Sequence, residues 1–463
     1  MRPFGIRDKL GYMFGDFGND FTFIFASSYL MVFYTKVLGI SGAAVGALFL
    51  AARIVDAFTD VTMGRIVDHM RPVRDGRFRP WLRRMCVPVA VASTLMYLYV
   101  VKDWPYGAKM VYVVVTYLLW SSFCYTAINI PYGSMASVIS PEAGDRASLS
   151  TFRSVGASLA SLVIGILVPL VVYRTDVQGN QVVIPERFTI TAIVLGIGAV
   201  ICYLLCYFMC TERVSLEKKE EKQQESVGAM LQGLGRNRPL LALVCAALAL
   251  LLASMLGQTM NNYLFLDYFR NAKAIAILNF ITVAAMLLIA PFMSSISTRF
   301  GKKEVSAAGM LIAGIVYLIL FFLRVKSITV FLILIFLGTI GIGLFNMIIW
   351  AFITDIIDYQ EVATGKREDG TVYAVYSFAR KLGQALAGGV GGFALTAIGY
   401  VSDAPAQAVE VSERIYAVST LVPGICYLVV FLIMQFWYPL NKKEVEKNTE
   451  LLQQKRNLEK AER

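Results

Sequence analysis

Two aspartates one helical turn apart, Asp56 and Asp60, interrupt the apolar stretch LFLAARIVDAFTDV (Leu48 to Val61), with Arg53 just ahead of them. Spacings of three and four residues put all three on one face of a helix. A charge at mid-bilayer costs about 2.5–3.5 kcal/mol on insertion scales, so such residues turn toward protein or water and carry function. Two adjacent carboxylates repel unless a cation sits between them, which is the requirement for a site that captures and releases H⁺ or Na⁺. The bland alternative is an ion pair that only fixes helix packing, but Arg53 alone cannot neutralise two acids.

The remaining polar residues of apolar segments fall in few places. GDFGNDF carries Asp16 and Asp20, again four apart, and CYTAINIPYGS carries Tyr125, Thr126 and Asn129. Arg153 lies in STFRSVG, Asp355 and Asp358 in ITDIIDYQE, and the pair Arg380 and Lys381 in SFARKLGQ. Facing lipid separately, they would cost on the order of 10 kcal/mol in sum, so pairing across helices around a central cavity is the cheap arrangement. Asp355 and Asp358 are expected to make a gate salt bridge with loop arginines, and Asp16 to do the same near the mouth of the first span. Arg380 and Lys381 are adjacent, about 100° apart on a helix, so they cannot both face one point. One is expected to reach the cavity while the other snorkels or pairs elsewhere. Trp120 and Trp350 offer rings for stacking on a sugar face, although packing is the commoner role of a membrane tryptophan.

The elements that hold these residues are apolar helices. A chain of 463 residues that is 57% hydrophobic is not an ordinary soluble globule. Twelve spans are predicted, at roughly 11–35, 41–66, 84–101, 109–137, 150–173, 188–210, 239–268, 275–297, 304–323, 328–357, 373–398 and 413–438, by the ~20-residue criterion. Most of the 43 Lys and Arg fall on the side of the N-terminus, which places both termini in the cytoplasm of a multi-pass cell-membrane protein. The formal charge of +11 is spread over loops rather than a groove, so it suits anionic lipid and not nucleic acid. Residues 1–210 and 239–438 are expected to form two six-helix bundles, joined by a charged cytoplasmic linker at 211–238 and followed by a charged tail at 439–463. The halves echo one another: GRIVDHMRPVRDGRFRPW follows the second span and STRFGKKEVS the eighth, each a short turn with a glycine flanked by basic residues. That repeat predicts an all-α membrane protein of the major facilitator fold, with parallel halves that rock about a central site.

Several chemistries are excluded. The seven cysteines form no Cys-x-x-Cys pair, and the only histidine, His69, lies in a basic loop, so proton chemistry falls to carboxylates. No nucleophile–base pair, nucleotide motif or metal-ligand cluster is present, so no enzyme, cofactor or metal beyond the coupling ion is expected. No small-residue cleavage site follows the first span, so no cleavable signal peptide is expected.

GDFGNDF, ARIVDAFTD, YTAINIPYGS and SFARKLGQALAG together resemble the glycoside–pentoside–hexuronide:cation symporters, in particular the glucuronide carrier and melibiose permease group. The resemblance runs from the first span to Tyr438. It implies that Asp56 and Asp60 bind the coupling cation with Thr126 completing the site, and that Asp20 holds sugar hydroxyls. It also implies that Arg153 flanks the sugar pocket and that Lys381 balances the carboxylates. Asn129 stands where melibiose permease has a second sugar-binding aspartate, Gly133 where it has a tryptophan, and Thr59 where it has an asparagine. One acid fewer beside Arg153 and Lys381 leaves a more positive cavity, suited to an acidic glycoside by charge-assisted hydrogen bonding. The function implied is H⁺- or Na⁺-coupled symport of a glycoside or sugar derivative by a monomer. Asp20, Tyr125, Asn129, Arg153, Trp350 and Lys381 would line the substrate site, and Arg53, Asp355, Asp358 and Arg380 would form a gate network. A cation-coupled lysolipid or amphiphile transporter is the alternative within the same broad fold.

Overall fold

The computed structural model describes residues 2–461, apart from 71–72, 74, 141, 178–179, 214–236, 365–368, 403 and 405. Most of the expected linker thus lies outside the described residues. A bilayer core offers the backbone no hydrogen-bond partner, so spans of this composition must satisfy their polar groups as helices. Among the described residues, ten helices are long and apolar enough to cross a membrane, from Gly42–Val67 to Val409–Trp437. Ile6–Val32 and Asp369–Ala397 fill the places expected for the first and eleventh spans. Polar residues such as Asp16, Asn19 and Asp20 dilute the apolar content of the first. Several helices outrun their apolar windows: the tenth span, expected to stop near 357, continues as Ile328–Thr364. Backbone hydrogen bonding does not end where hydrophobicity does. The charged tail likewise folds as a helix, Lys442–Ala461.

The fourth span, Tyr106–Ile139, is continuous but contains a wide π-turn at Leu119–Tyr125. Such turns insert an extra residue into an α-helix and are frequent at functional sites. A short antiparallel hairpin, Tyr173–Thr175 with Gln181–Val183, joins the fifth span, Ser148–Val172, to the sixth, Pro185–Met209.

The two basic glycine turns both hold their glycine at positive φ. Gly76 has φ +108° and Gly301 φ +97°, a region that side chains rarely enter. Each glycine also lies against a carboxylate, Glu212 for Gly76 and Glu304 for Gly301, where a Cβ would collide. Glu212 accepts backbone N–H bonds from Arg77, Phe78 and Arg79 at 2.7, 2.9 and 2.7 Å. It thereby satisfies the orphan donors at the start of the helix Arg79–Leu95.

The chain packs as two units. The first comprises Met1–Glu220, Gln258–Phe280 and Gly388–Ile415. In it the first helix lies against Ala143–Val172 and Pro185–Met209. Phe25, Phe33, Tyr97 and Phe188 interlock their rings at centroid distances of 4.3 to 6.3 Å. Gly42 and Gly46 of the second helix meet Gly389 and Gly392 backbone to backbone. Small residues of this kind let membrane helices approach closely. The second unit comprises Glu221–Gly257, Ile281–Ala387 and Tyr416–Arg463. Its core joins Lys302–Leu323 and Ile328–Thr364 around Met310, Phe345, Phe352 and Val430.

Candidate functional site

The second helix, Gly42–His69, carries Arg53, Asp56 and Asp60 on one face as the spacing predicts, and the two acids meet the fourth span. Arg53 Nη1 stands 3.4 Å from Asp56 Oδ2, a loose ion pair, and its guanidinium lies 5.9 Å from the ring centre of Phe23. Asp56 is more firmly held from across the helix interface. Ser122 Oγ donates to Asp56 Oδ1 at 2.6 Å, and Ser121 Oγ donates to Oδ2 at 2.7 Å. Thr126 Oγ1 donates to Asp60 Oδ1 at 3.0 Å. Two carboxylates and three hydroxyls therefore converge from two neighbouring spans. Hard oxygen donors of this kind suit H⁺ or an alkali cation and offer nothing to a soft metal.

Neither serine figures in the sequence reading, although one signal was present. Ser122 precedes Thr126 by four residues and shares its face on a regular helix. Ser121 would point about 100° away on such a helix, and it reaches the same carboxylate from within the π-turn.

The expected sugar-side residues occupy the same unit. Tyr125 accepts a hydrogen bond from Asn19 Nδ2 at 2.8 Å, and Asn19 Oδ1 accepts one from Tyr203 at 3.1 Å. The Tyr125 ring stacks on Phe23 at 5.5 Å. Asp20 and Asn129 are half-buried. Among the described residues none donates a hydrogen bond to the Asp20 carboxylate. Trp120 is 2% exposed and wedged against Tyr117 and Tyr125, so it is a packing residue rather than a stacking platform.

Arg153 departs from the expected arrangement. Its Nε donates to Asp16 Oδ1 at 2.9 Å, and its guanidinium lies 5.4 Å from the ring centre of Tyr132. Asp16 is thus the partner of a membrane arginine, not of a loop arginine at the mouth of the first span. The charge arithmetic changes accordingly: Asp16 supplies Arg153 with a carboxylate, and the Arg153 pocket is not simply more positive. The Arg153 side chain is 41% exposed, with its Nη1 edge toward Gly133. A Cβ at Gly133 would lie 4.0 Å from Arg153 Nη1, so the missing side chain leaves that edge open.

In the second unit, Asp355 Oδ1 accepts from Lys302 Nζ at 2.6 Å. The partner is a lysine of the repeated glycine turn, where a loop arginine was expected. Asp355 Oδ2 is buried without a hydrogen-bond partner among the described residues. Asp358 is half-buried one helical turn further on, and Arg380 is half-buried near Tyr376. The side chains of Trp350 and Lys381 lie outside the described residues, so their expected places in the substrate site stand only as expectations.

One network was not anticipated at all. At the end of the first helix away from the N-terminus, Lys36 Nζ pairs with Asp267 Oδ1 at 2.8 Å. Tyr400 donates to Asp267 Oδ2 at 3.2 Å, and Thr35 shares a hydrogen bond with Tyr263 at 2.8 Å. Gln258 Nε2 donates to Ser28 Oγ at 2.9 Å, and Asn262 Nδ2 to the Ser28 carbonyl at 2.6 Å. These bonds tie the first span to the seventh. Lys36 lies in a π-turn that ends the first span, so in sequence it reads as a flanking base.

Residues 11–442 match the family described as MFS/sugar transport protein. The glucuronide carrier protein homolog of Escherichia coli is 33% identical, with 95% of this chain and 93% of that protein covered. The uncharacterized symporter YjmB of Bacillus subtilis is 31% identical, with 97% and 96% covered. In three dimensions the chain resembles the inward-open xylose transporter XylE of E. coli, with a TM-score of 0.63 and 11% identity. That likeness covers 96% of this chain and 98% of XylE, and it identifies the major facilitator fold.

Proposed function

The chain belongs to the MFS/sugar transport protein family, and from that premise we propose that it is a cation-coupled symporter of an acidic glycoside. It is a multi-pass membrane transporter and not an enzyme, its substrate a sugar or glycoside. The observation that carries the coupling is the convergence of Asp56 and Asp60 with Ser121, Ser122 and Thr126. A cation bound there relieves the repulsion between the carboxylates. By linkage, whatever the cation does for sugar affinity the sugar must do for cation affinity. Moving one positive charge through ~100 mV is worth ~2.3 kcal/mol, enough for roughly fifty-fold accumulation of a neutral solute. An anion carried with one cation is electroneutral and draws only on the ion gradient.

The acidic substrate is supported by two features. Arg153 presents an exposed edge beside Gly133, and a relative is named for a glucuronide. A guanidinium edge suits a carboxylate through paired charge-assisted hydrogen bonds. Asp20, Asn129 and Tyr125 would grip the sugar hydroxyls. Both termini are assigned to the cytoplasm by the distribution of Lys and Arg.

The test is uptake into proteoliposomes of radiolabelled β-glucuronide, β-galactoside, α-galactoside and xyloside. Each is run with and without Na⁺ and with and without a pH gradient. Glucuronide uptake that rises with one of the ions is the expected result. Movement of lysophospholipid and of no sugar would refute the reading.

A further inference from the structure

The serine pair on Asp56 has a geometry that ordinary helix packing does not require. Ser121 and Ser122 are adjacent, 4% and 2% exposed, and each donates to a different oxygen of the same carboxylate. Adjacent side chains diverge by about 100° on an α-helix, and both serines that bracket the carboxylate lie in the wider turn at Leu119–Tyr125. The other neighbour of Asp56 competes for it. Arg53 Nη1 lies 3.4 Å from Oδ2, beyond the 2.7–2.9 Å typical of a closed arginine–carboxylate bond. A small rotation of the carboxylate would close that gap, and the two hydroxyls oppose the rotation.

We propose that Ser121 and Ser122 are positioning residues that hold Asp56 out of a closed ion pair with Arg53, and so keep it available to the coupling ion. The proposal rests on the coupling role given above to Asp56 and Asp60. Each hydroxyl has one proton to donate and two lone pairs, so a serine that commits its proton to Asp56 still offers oxygen to a cation. The pair thereby fixes the carboxylate without blocking it. Without the pair, Arg53 becomes the resident cation, and the mobile ion must displace it.

The experiment uses the full-length protein in proteoliposomes, with uptake of the substrate found in the screen. Na⁺ is titrated at fixed pH, and protons are titrated in the absence of Na⁺. For Ser121→Ala/Ser122→Ala, the ion concentration for half-maximal uptake should rise about tenfold or more, as expected for loss of two hydrogen bonds to a charged group. Substrate KM at saturating ion should move less than about threefold, a split that general loosening of the helix would not produce. Adding Arg53→Gln removes the competitor and should bring the ion requirement back toward that of the parent. Ion-independent exchange of substrate across the membrane reports that each variant is folded, and Ser122→Ala alone serves if the double variant is not. An unchanged ion requirement in the serine variants, or no recovery on adding Arg53→Gln, overturns the proposal while leaving coupling intact. Absence of any ion stimulation in the parent protein sinks the coupling reading, and the proposal with it.

Discussion

Replacing Asp267 by Asn should open the end of the transporter that lies away from its N-terminus. Lys36 Nζ and Asp267 Oδ1 are 2.8 Å apart, and their side chains are only 9% and 5% exposed. At an effective dielectric constant of about 20, that separation corresponds to a gross attraction of about 6 kcal/mol. The net loss on removing one partner is set instead by the stranded charge, about 3–5 kcal/mol for a buried pair. The Tyr400 ring, 5.2 Å from Nζ, offers Lys36 partial compensation and favours the lower end. About 3 kcal/mol is a shift of roughly a hundredfold toward conformations in which Lys36 meets water. A Ser28→Cys reporter reads this directly, because Ser28 sits beneath the pair under Gln258 and Asn262. Labelling by a membrane-impermeant thiol reagent from the outer face should accelerate about a hundredfold in Asp267→Asn. In Lys36→Gln/Asp267→Asn, where no charge is stranded, it should fall back to within about tenfold of the parent. Equal labelling of Asp267→Asn and the parent would refute the reasoning. So would a double variant as reactive as the single.

Three further outcomes follow from the site and the packing. Asp60→Asn should abolish ion-driven accumulation while substrate exchange persists, and normal concentrative uptake in that variant would remove Asp60 from the coupling site. Asp16→Asn keeps an acceptor for Arg153 Nε but removes a charge, so the preference for glucuronide over a neutral glycoside should rise about three- to tenfold. Asp16→Ala loses the orientation as well and should lower the preference; identical ratios in both variants would show that Asp16 does not govern Arg153. Gly46→Val forces a side chain to within 2.6 Å of the Gly389 carbonyl, so it should lower the unfolding temperature in detergent, in line with an overpacking cost of about 1–3 kcal/mol. An unshifted melting curve would contradict the close crossing.

What the sequence discloses and what it hides divide along a physical line. Residues that are costly in a bilayer are legible because only a few positions tolerate them: Arg53, Asp56 and Asp60 share one helix face as their spacing predicts, and Thr126 meets Asp60 as the family resemblance implies. The glycine turns are legible for a related reason, since Gly76 and Gly301 hold a backbone that other residues resist. Cheap polar residues carry no such mark. Ser121 and Ser122 are unremarkable in an apolar helix, and their joint aim at Asp56 comes from within a wider turn, which no hydrophobic period reveals. Partner choice is equally hidden: spacing shows that Asp16 needs a cation, but only packing of the first helix on Ala143–Val172 selects Arg153. The same holds for Lys36 and Asp267, each of which reads alone as a charge flanking a span. The acids proposed to bind an ion thus declare themselves by their cost. The residues proposed to aim them, and to gate the path, become visible only once the helices are assembled. It is on this second group that the serine and gate variants bear.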